Sequence, residues 1–208
     1  MSLCQTITNR TLEKTFVTHQ YVYFDDVFSK DELEKIIELN SKISLKDGDV
    51  SASDFDAIRV SKITHQNPNK NNQWIFDRLN QFIMQVNLDI FNYDLTGYEF
   101  YQYAEYDEKN AGHYEYHVDI MFNGLNLNFG VNNIETRKLS MTLLLNEPEI
   151  DFEGGEFYVK LGADDENRVE FKAGRIILFP SYILHKVTPV TKGIRKSLVV
   201  WVTGPKFR

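Results

Sequence analysis

Two histidines and one aspartate have the residue types and spacing of a metal site. His117 and Asp119 lie two positions apart in the stretch 112–119 (GHYEYHVD), and residues i and i+2 of a β-strand point to the same face. His185 ends a second, apolar segment, 176–185 (IILFPSYILH). Two histidines and a carboxylate bind non-haem Fe(II) and leave coordination positions open for an oxo-acid and dioxygen. A lone His-x-Asp pair is common by chance, and His185 considered alone is explained more simply as a core side chain bonded to a backbone carbonyl.

Arg195 favours the metal-site interpretation over the core interpretation. It follows His185 by ten residues and precedes the apolar segment that starts at Leu198. A guanidinium that is buried in a barrel needs an anionic partner, and its planar fork fits the distal carboxylate of 2-oxoglutarate. Ser197 faces the same way on a strand and adds a hydroxyl group. Without the two histidines, a solvated charge at a strand end would be the preferred interpretation of Arg195.

The elements that must position these residues change character after Gly97. Before it, Ser29 and Glu32 form a capping box that predicts a helix over roughly 30–42, and apolar residues at helical spacing predict a second helix. That second set is Trp74, Ile75, Leu79, Phe82, Ile83 and Val86. Some strand is predicted around 57–63, and further strands at 98–106, 114–121, 138–145, 156–161, 168–171, 175–179, 183–189 and 196–203. Helices followed by many strands predict an α+β fold that is mainly β.

Length and composition predict one domain. The chain has 208 residues, 42% of them hydrophobic and 25% charged, which is ordinary for a globular protein that buries a core without disulfides. We expect a single domain over 1–208, with helical support over about 1–97 and the strand-rich part over about 98–208. The segment Asn123–Asn133 is rich in Asn and Gly, and a role for it as a lid over substrate stays open.

Charge and targeting signals exclude several classes of function. The formal net charge of -7 disfavours nucleic acid as a partner. Cys4 is the single cysteine and cannot form an internal disulfide, which fits a reducing cytoplasm. The first residues lack an apolar signal segment, and no later stretch approaches the ~20 apolar residues of a membrane span. We therefore expect a cytoplasmic protein that does not bind a membrane.

The order and spacing of the motifs resemble the 2-oxoglutarate/Fe(II) dioxygenase superfamily. Within it, the sequence is most similar to the prolyl 4-hydroxylase-like group, which includes the bacterial PKHD-type hydroxylases. The resemblance covers about residues 98–204, and one departure is Leu144, where animal hypoxia-type prolyl hydroxylases have a tyrosine. The motifs that carry it are Tyr106, His117-x-Asp119, Leu143–Asn146 (LLLN), Gly154–Phe157 (GGEF), Leu178–Ser181 (LFPS), His185 and Arg195-x-Ser197.

The resemblance implies a fold and a set of site residues. The fold is a double-stranded β-helix, a jelly-roll barrel of the cupin type. Fe(II) is held by His117, Asp119 and His185. The cosubstrate 2-oxoglutarate is bound by Arg195, assisted by Ser197 and Tyr106. Tyr101 and Tyr103 are the alternatives to Tyr106 for contact with the oxo-acid.

The resemblance also implies the reaction. O2 and 2-oxoglutarate are consumed, succinate and CO2 are released, and a C–H bond of the substrate is hydroxylated. A proline of a peptide or protein is the leading substrate, a free amino acid or small metabolite is the alternative, and nucleic-acid demethylation is disfavoured by the net charge. A non-catalytic cupin-like module that binds metal or another ligand is the rival class, and the Arg195-x-Ser197 motif argues against it. The requirement for ascorbate stays open.

Overall fold

The computed structural model describes residues 16–17, 21–48, 58–120, 122–123, 135–160, 162 and 164–206. This part contains two α-helices, α1 (Lys30–Ser41) and α2 (Gln73–Val86), and α2 continues into a π-helical turn at Asn87–Phe91. A 3-10 turn (Glu108–Asn110) separates two of the strands. The strands are β1 (Phe16–Val17), β2 (Val22–Phe24), β3 (Lys46–Asp47), β4 (Arg59–Val60), β5 (Lys62–Gln66), β6 (Tyr101–Asp107), β7 (His113–His117), β8 (Phe122–Asn123), β9 (Glu135–Leu144), β10 (Phe152–Gly154), β11 (Phe157–Lys160), β12 (Glu166–Val169), β13 (Ile176–Pro180), β14 (Leu184–Val187) and β15 (Val190–Pro205).

The two helices form where the sequence provides a cap and an apolar stripe. The Glu32 amide donates to the Ser29 hydroxyl and the Ser29 amide donates to the Glu32 carboxylate, which confirms the predicted capping box of α1. The predicted apolar set of α2 is buried apart from the half-buried Trp74. Within the described residues, no helix is long and apolar enough to span a bilayer.

Two antiparallel sheets pack face to face and confirm the predicted mainly β jelly-roll fold. The larger sheet has the order β1-β2-β13-β9-β15-β6-β5-β3, with β8 paired to β9 and β10 paired to β15. The smaller sheet has the order β12-β11-β14-β7-β4. Apolar side chains from both sheets, among them Tyr106, Leu144, Phe157, Phe179 and Val187, form one cluster between them. This shared interior is where the site residues meet.

Successive side chains of a strand point to opposite faces of its sheet, and the larger sheet buries both of its faces. On β6, Tyr101 and Tyr103 belong to the cluster that packs against the helices, whereas Ala104 and Tyr106 belong to the cluster between the sheets. The helices therefore cover the outer face of the sheet that carries the site on its inner face.

Several strand bounds differ from the predicted ones. The last strand, β15, starts at Val190 instead of 196, so Arg195 lies inside a strand rather than at its head. β7 ends at His117 instead of 121, and β10 was not predicted. β15 is long because it pairs with three strands, β6, β9 and β10. Its length was not predicted because pairing between residues far apart in the chain leaves no local signal. Apart from Asn123, the predicted loop Asn123–Asn133 lies outside the described residues.

A buried ion pair ties the first part of the chain to the barrel. Asp25, which is 7% exposed, accepts from Arg175 Nε at 2.7 Å and from Arg175 Nη2 at 3.0 Å. Lys172 Nζ lies 3.0 Å from the same carboxylate. Burial alone would raise the pKa of Asp25, but the bonds from Arg175 and Lys172 outweigh it and hold this pKa below its usual value.

We expect Asp25→Asn to lower the free energy of unfolding by about 3 kcal/mol, since it leaves the buried Arg175 without its counter-charge. Urea denaturation at neutral pH measures this loss, with exposed Glu34→Gln on α1 as the control. Because the folded pKa of Asp25 is depressed, its contribution is present above the unfolded pKa and is lost as the pH falls. The gap between wild type and Asp25→Asn should therefore narrow in acid; a constant gap would contradict the role of the charge.

Candidate metal centre

His117 and His185 are directly opposite each other where β7 pairs with β14. Each ring Nδ1 lies close to a backbone carbonyl two residues earlier, 2.7 Å from Glu115 O and 2.9 Å from Ile183 O. A ring that donates its Nδ1–H to a carbonyl presents the Nε2 lone pair to a metal. Each histidine therefore makes the hydrogen bond to a backbone carbonyl that is expected of a core histidine, and this bond also orients its Nε2.

Asp119 joins the two histidines from the segment that follows β7. Its N–H and that of Ile120 both donate to Ser181 O, each at 2.9 Å, which holds this segment against the turn between β13 and β14. The carboxylate lies 3.7 Å from His117 Nε2 and 3.5 Å from His185 Nε2. Because the strand ends at His117, the approach of Asp119 depends on the bonds to Ser181 and not on the two-residue repeat of a strand.

The three side chains form a compact set of ligand atoms. One ligand atom from each of His117, Asp119 and His185 lies within 4.8 Å of the others. Burial and then the neighbouring His185 lower the pKa of His117 to about 3. Burial raises the pKa of Asp119, but the two histidines outweigh it and the net pKa is below its usual value. A neutral imidazole and an ionised carboxylate are the forms that bind a divalent metal, so the set fits such an ion.

In the part of the chain that the structure describes, Arg195 is a buried cation without a carboxylate partner. It is 1% exposed, its Nη1 donates to Ser197 Oγ at 3.2 Å, and its Nε finds no hydrogen-bond partner among the described residues. The guanidinium carbon lies 5.4 Å from the ring centroid of Tyr106 and 5.5 Å from that of Phe171. Burial lowers the pKa of Arg195 to about 10, so it is still charged at neutral pH. An unpaired buried guanidinium fits a ligand that brings a carboxylate.

One cavity is lined by all six site residues that the sequence predicts: Tyr106, His117, Asp119, His185, Arg195 and Ser197. Tyr106 pairs with Arg195 across β6 and β15. The alternatives Tyr101 and Tyr103 lie on the opposite face of β6, where the Tyr103 hydroxyl donates to Glu105 at 2.8 Å. Of the three tyrosines, only Tyr106 is placed to meet a ligand in the cavity.

Two residues that pack against the metal centre were not predicted from the sequence. Tyr114 stacks on His117 with ring centroids 3.4 Å apart, and the guanidinium carbon of Arg59 lies over the Tyr114 ring, 4.8 Å from its centroid. Tyr114 and His117 share a face because the pairing of β7 with β14 is irregular between them, and a bulge of this kind has no clear sequence signature. Arg59 falls in the polar stretch that gave weak predictions.

Two further polar residues were not predicted, although the sequence pattern around them indicates their role. Ser140 and Thr142 alternate with apolar residues along β9 and are buried, and Thr142 lines the cavity. Polar residues two apart in the otherwise apolar stretch 139–145 indicate a strand face that needs polar groups. Gly155 of the GGEF motif, with φ of +63°, makes room for the site because an added Cβ would lie 2.8 Å from Arg195 Cδ.

The strand-rich part of the chain matches a known protein family. Residues 101–203 match the family model of the 2OG-Fe(II) oxygenase superfamily. A PKHD-type hydroxylase of Alteromonas mediterranea is 40% identical over 89 residues, which cover 43% of this chain and 37% of that protein. The match therefore spans well under half the length of this curated relative.

Solved structures agree in fold over nearly the whole chain. A Pseudomonas putida prolyl-4-hydroxylase is similar with a TM-score of 0.65 at 21% identity, covering 91% of this chain and 95% of that one. A Trichoplax adhaerens prolyl hydroxylase, solved with a hypoxia-inducible-factor peptide fragment, gives a TM-score of 0.71 at 18% identity, covering 96% and 90%. At these identities the likeness establishes the shared fold.

Proposed function

Because this chain belongs to the 2OG-Fe(II) oxygenase superfamily, we propose that it is an Fe(II)- and 2-oxoglutarate-dependent hydroxylase. The observation that carries the proposal is one cavity in which three ligand atoms within 4.8 Å of one another meet a buried guanidinium that has no counter-charge among the described residues. A cupin-like module that only binds a metal has no need of the second feature. The domain division at about residue 97 belongs to the same proposal.

Each residue has a separate task. His117, Asp119 and His185 would hold the iron, and an iron ion bound by two histidines and a carboxylate would supply the binding of the oxo-acid and of dioxygen. Arg195 binds the distal carboxylate of 2-oxoglutarate, with Ser197 fixing the guanidinium and Tyr106 closing the cavity beside it. When bound, iron and 2-oxoglutarate supply the oxidation: the oxo-acid loses CO2 to become succinate, and one oxygen atom of O2 enters a substrate C–H bond. The protein supplies binding and orientation.

A peptidyl proline is the proposed substrate. This is supported by the prolyl hydroxylases among the similar solved structures and by the peptide bound to the Trichoplax adhaerens prolyl hydroxylase. A free amino acid or small metabolite is the alternative, because one fold of this kind serves many substrates. Ascorbate as a reductant that maintains Fe(II), residence in the cytoplasm and the absence of a nucleic-acid partner complete the proposal.

We expect a proline-containing peptide to stimulate succinate formation by the Fe(II)-loaded protein and to gain one oxygen atom. Succinate and the mass of the peptide are measured together, and the matched control is the same peptide with alanine at the proline position. Succinate that is stimulated by free amino acids and not by the peptide would select the alternative substrate class. Assays with and without ascorbate in the same series test the reductant.

A further inference from the structure

Arg59 is a second buried cation beside the cavity. It is 8% exposed and lines the cavity together with the metal group. Its Nε donates to Ser61 Oγ at 2.8 Å, but its Nη2 is buried and has no hydrogen-bond partner in the described part of the chain. Its guanidinium carbon lies 4.8 Å from the ring centroid of Tyr114, which itself stacks on His117. One aromatic ring therefore separates this cation from a proposed iron ligand.

Arg137 on β9 is a third cation in the same region. Its guanidinium carbon lies 4.2 Å from the ring centroid of Trp201, and Trp201 lines both the metal cavity and the open cavity next to it. The exposed Glu135 lines that open cavity too, but its carboxylate accepts from the Thr203 hydroxyl at 3.2 Å. Over the described residues, neither Arg59 nor Arg137 forms a salt bridge with a carboxylate of the protein.

The Trp201 side chain connects the two guanidiniums. Trp201 and Arg59 line the same cavity as the metal group, and Arg137 lies over the Trp201 ring. The two cations therefore lie in one region beside the metal group. Burial lowers the pKa of His65, and Arg59 and Arg137 lower it further, which agrees with this placement.

We propose that Arg59 and Arg137 form a carboxylate-binding subsite for the substrate, so that the molecule that is hydroxylated carries a carboxylate close to its reacting carbon. This subsite is separate from Arg195 and rests on the proposed function. The subsite requires a carboxylate on the substrate, and an acidic side chain of a peptide or a free carboxyl group can supply it.

The charges favour an anionic occupant of this subsite. A buried guanidinium without a partner is unfavourable, and a carboxylate that accepts from its free N–H groups removes that penalty. Arginine suits this because its planar fork matches the two oxygens of a carboxylate. The net charge of -7 repels anions at long range, so recognition must come from these local contacts.

The test is calorimetric titration of the full chain loaded with Zn(II) and saturated with 2-oxoglutarate, which occupies the Arg195 site and prevents turnover. Two matched pairs of probes are used: N-acetyl-L-proline against its amide, and the amide-capped dipeptide acetyl-Pro-Glu against acetyl-Pro-Gln. We expect the carboxylate member of at least one pair to bind about tenfold more tightly, as a charge-assisted hydrogen bond provides. The first pair reports a free carboxyl group and the second an acidic side chain.

Variants link the preference to the two arginines. Arg59→Gln and Arg137→Gln should each reduce the preference by about tenfold without changing the affinity for 2-oxoglutarate. Arg59→Lys should retain part of it, because the charge remains and the fork is lost. Arg168→Gln, at an exposed position of β12, is the matched control and should leave the preference unchanged.

Equal binding of both members in both pairs, or no binding of either carboxylate, would overturn the subsite. The comparison within each pair needs only the wild-type chain, so misfolding of a variant does not hide the answer. Titration of 2-oxoglutarate into the Zn(II)-loaded chain comes first and separates the two proposals. If 2-oxoglutarate itself does not bind, the proposed function fails; if it binds and the pairs do not differ, the subsite alone fails.

Discussion

Replacing Arg195 with glutamine is expected to weaken the binding of 2-oxoglutarate by about a hundredfold or more while metal binding is unchanged. Loss of one partner of a buried, hydrogen-bonded charge pair weakens binding by about 2–5 kcal/mol. Arg195 is 1% exposed and has no protein carboxylate to compete for it in the described part of the chain, so the ligand takes the full effect. Calorimetric titration of the Zn(II)-loaded variant measures both affinities.

The same substitution makes a second, opposite prediction for the ligand-free protein. A buried guanidinium whose Nε has no partner among the described residues is destabilising, so Arg195→Gln should leave the Tm unchanged or raise it. Arg195→Lys keeps the charge and loses the planar fork, and it should bind 2-oxoglutarate with intermediate affinity. A variant that loses both stability and metal binding would indicate that Arg195 serves the fold instead of the ligand.

Replacing His185 with alanine is expected to weaken metal binding by more than about a hundredfold, since changes that only reach the surroundings of a ligand already cost about ten- to a hundredfold. His185 Nε2 lies 3.5 Å from the Asp119 carboxylate, and no third histidine of the described residues joins His117 and His185 in this group of ligand atoms. The metal content of the purified variant after loading with Fe(II) without oxygen measures the effect.

His113→Ala is the matched control for this prediction. His113 lies on β7, as His117 does, but it does not line the cavity and is not part of the ligand group. We expect it to bind one metal ion as the wild type does. Equal metal content in His185→Ala and wild type would contradict the assignment of the ligands.

Local patterns account for much of what the sequence predicted. Arg195 and Ser197 lie two apart on one strand, and the strand repeat correctly predicts that both reach the same cavity. The capping box of α1 and the apolar stripe of α2 were equally local and were confirmed. The prediction that His117 and Asp119 share a strand was wrong, because β7 ends at His117 and bonds from the Asp119 and Ile120 amides to Ser181 hold Asp119 in the site.

What the sequence could not provide depends on contacts between distant parts of the chain. His185 meets His117 through a strand pair that joins residues far apart, and no local pattern specifies that register. Arg59 reaches the cavity from a two-residue strand in a polar stretch, where neither alternation nor helical spacing marks it. Tyr106 lines the cavity and Tyr103 does not, because the helices cover the face of β6 that carries Tyr103. That the chain forms a single domain, with helical support up to about residue 97, stays a prediction.

The most direct test of the account is the formation of succinate from 2-oxoglutarate when air is admitted to the Fe(II)-loaded protein that was purified without oxygen. We predict succinate that depends on iron and on O2 in the wild type and in His113→Ala, and none above background in His185→Ala. At a 2-oxoglutarate concentration of about ten times the wild-type Kd, we predict that Arg195→Gln forms succinate at least about tenfold more slowly than the wild type. Succinate formation by His185→Ala at the wild-type rate, or failure of the wild type to bind both Fe(II) and 2-oxoglutarate, would contradict the account.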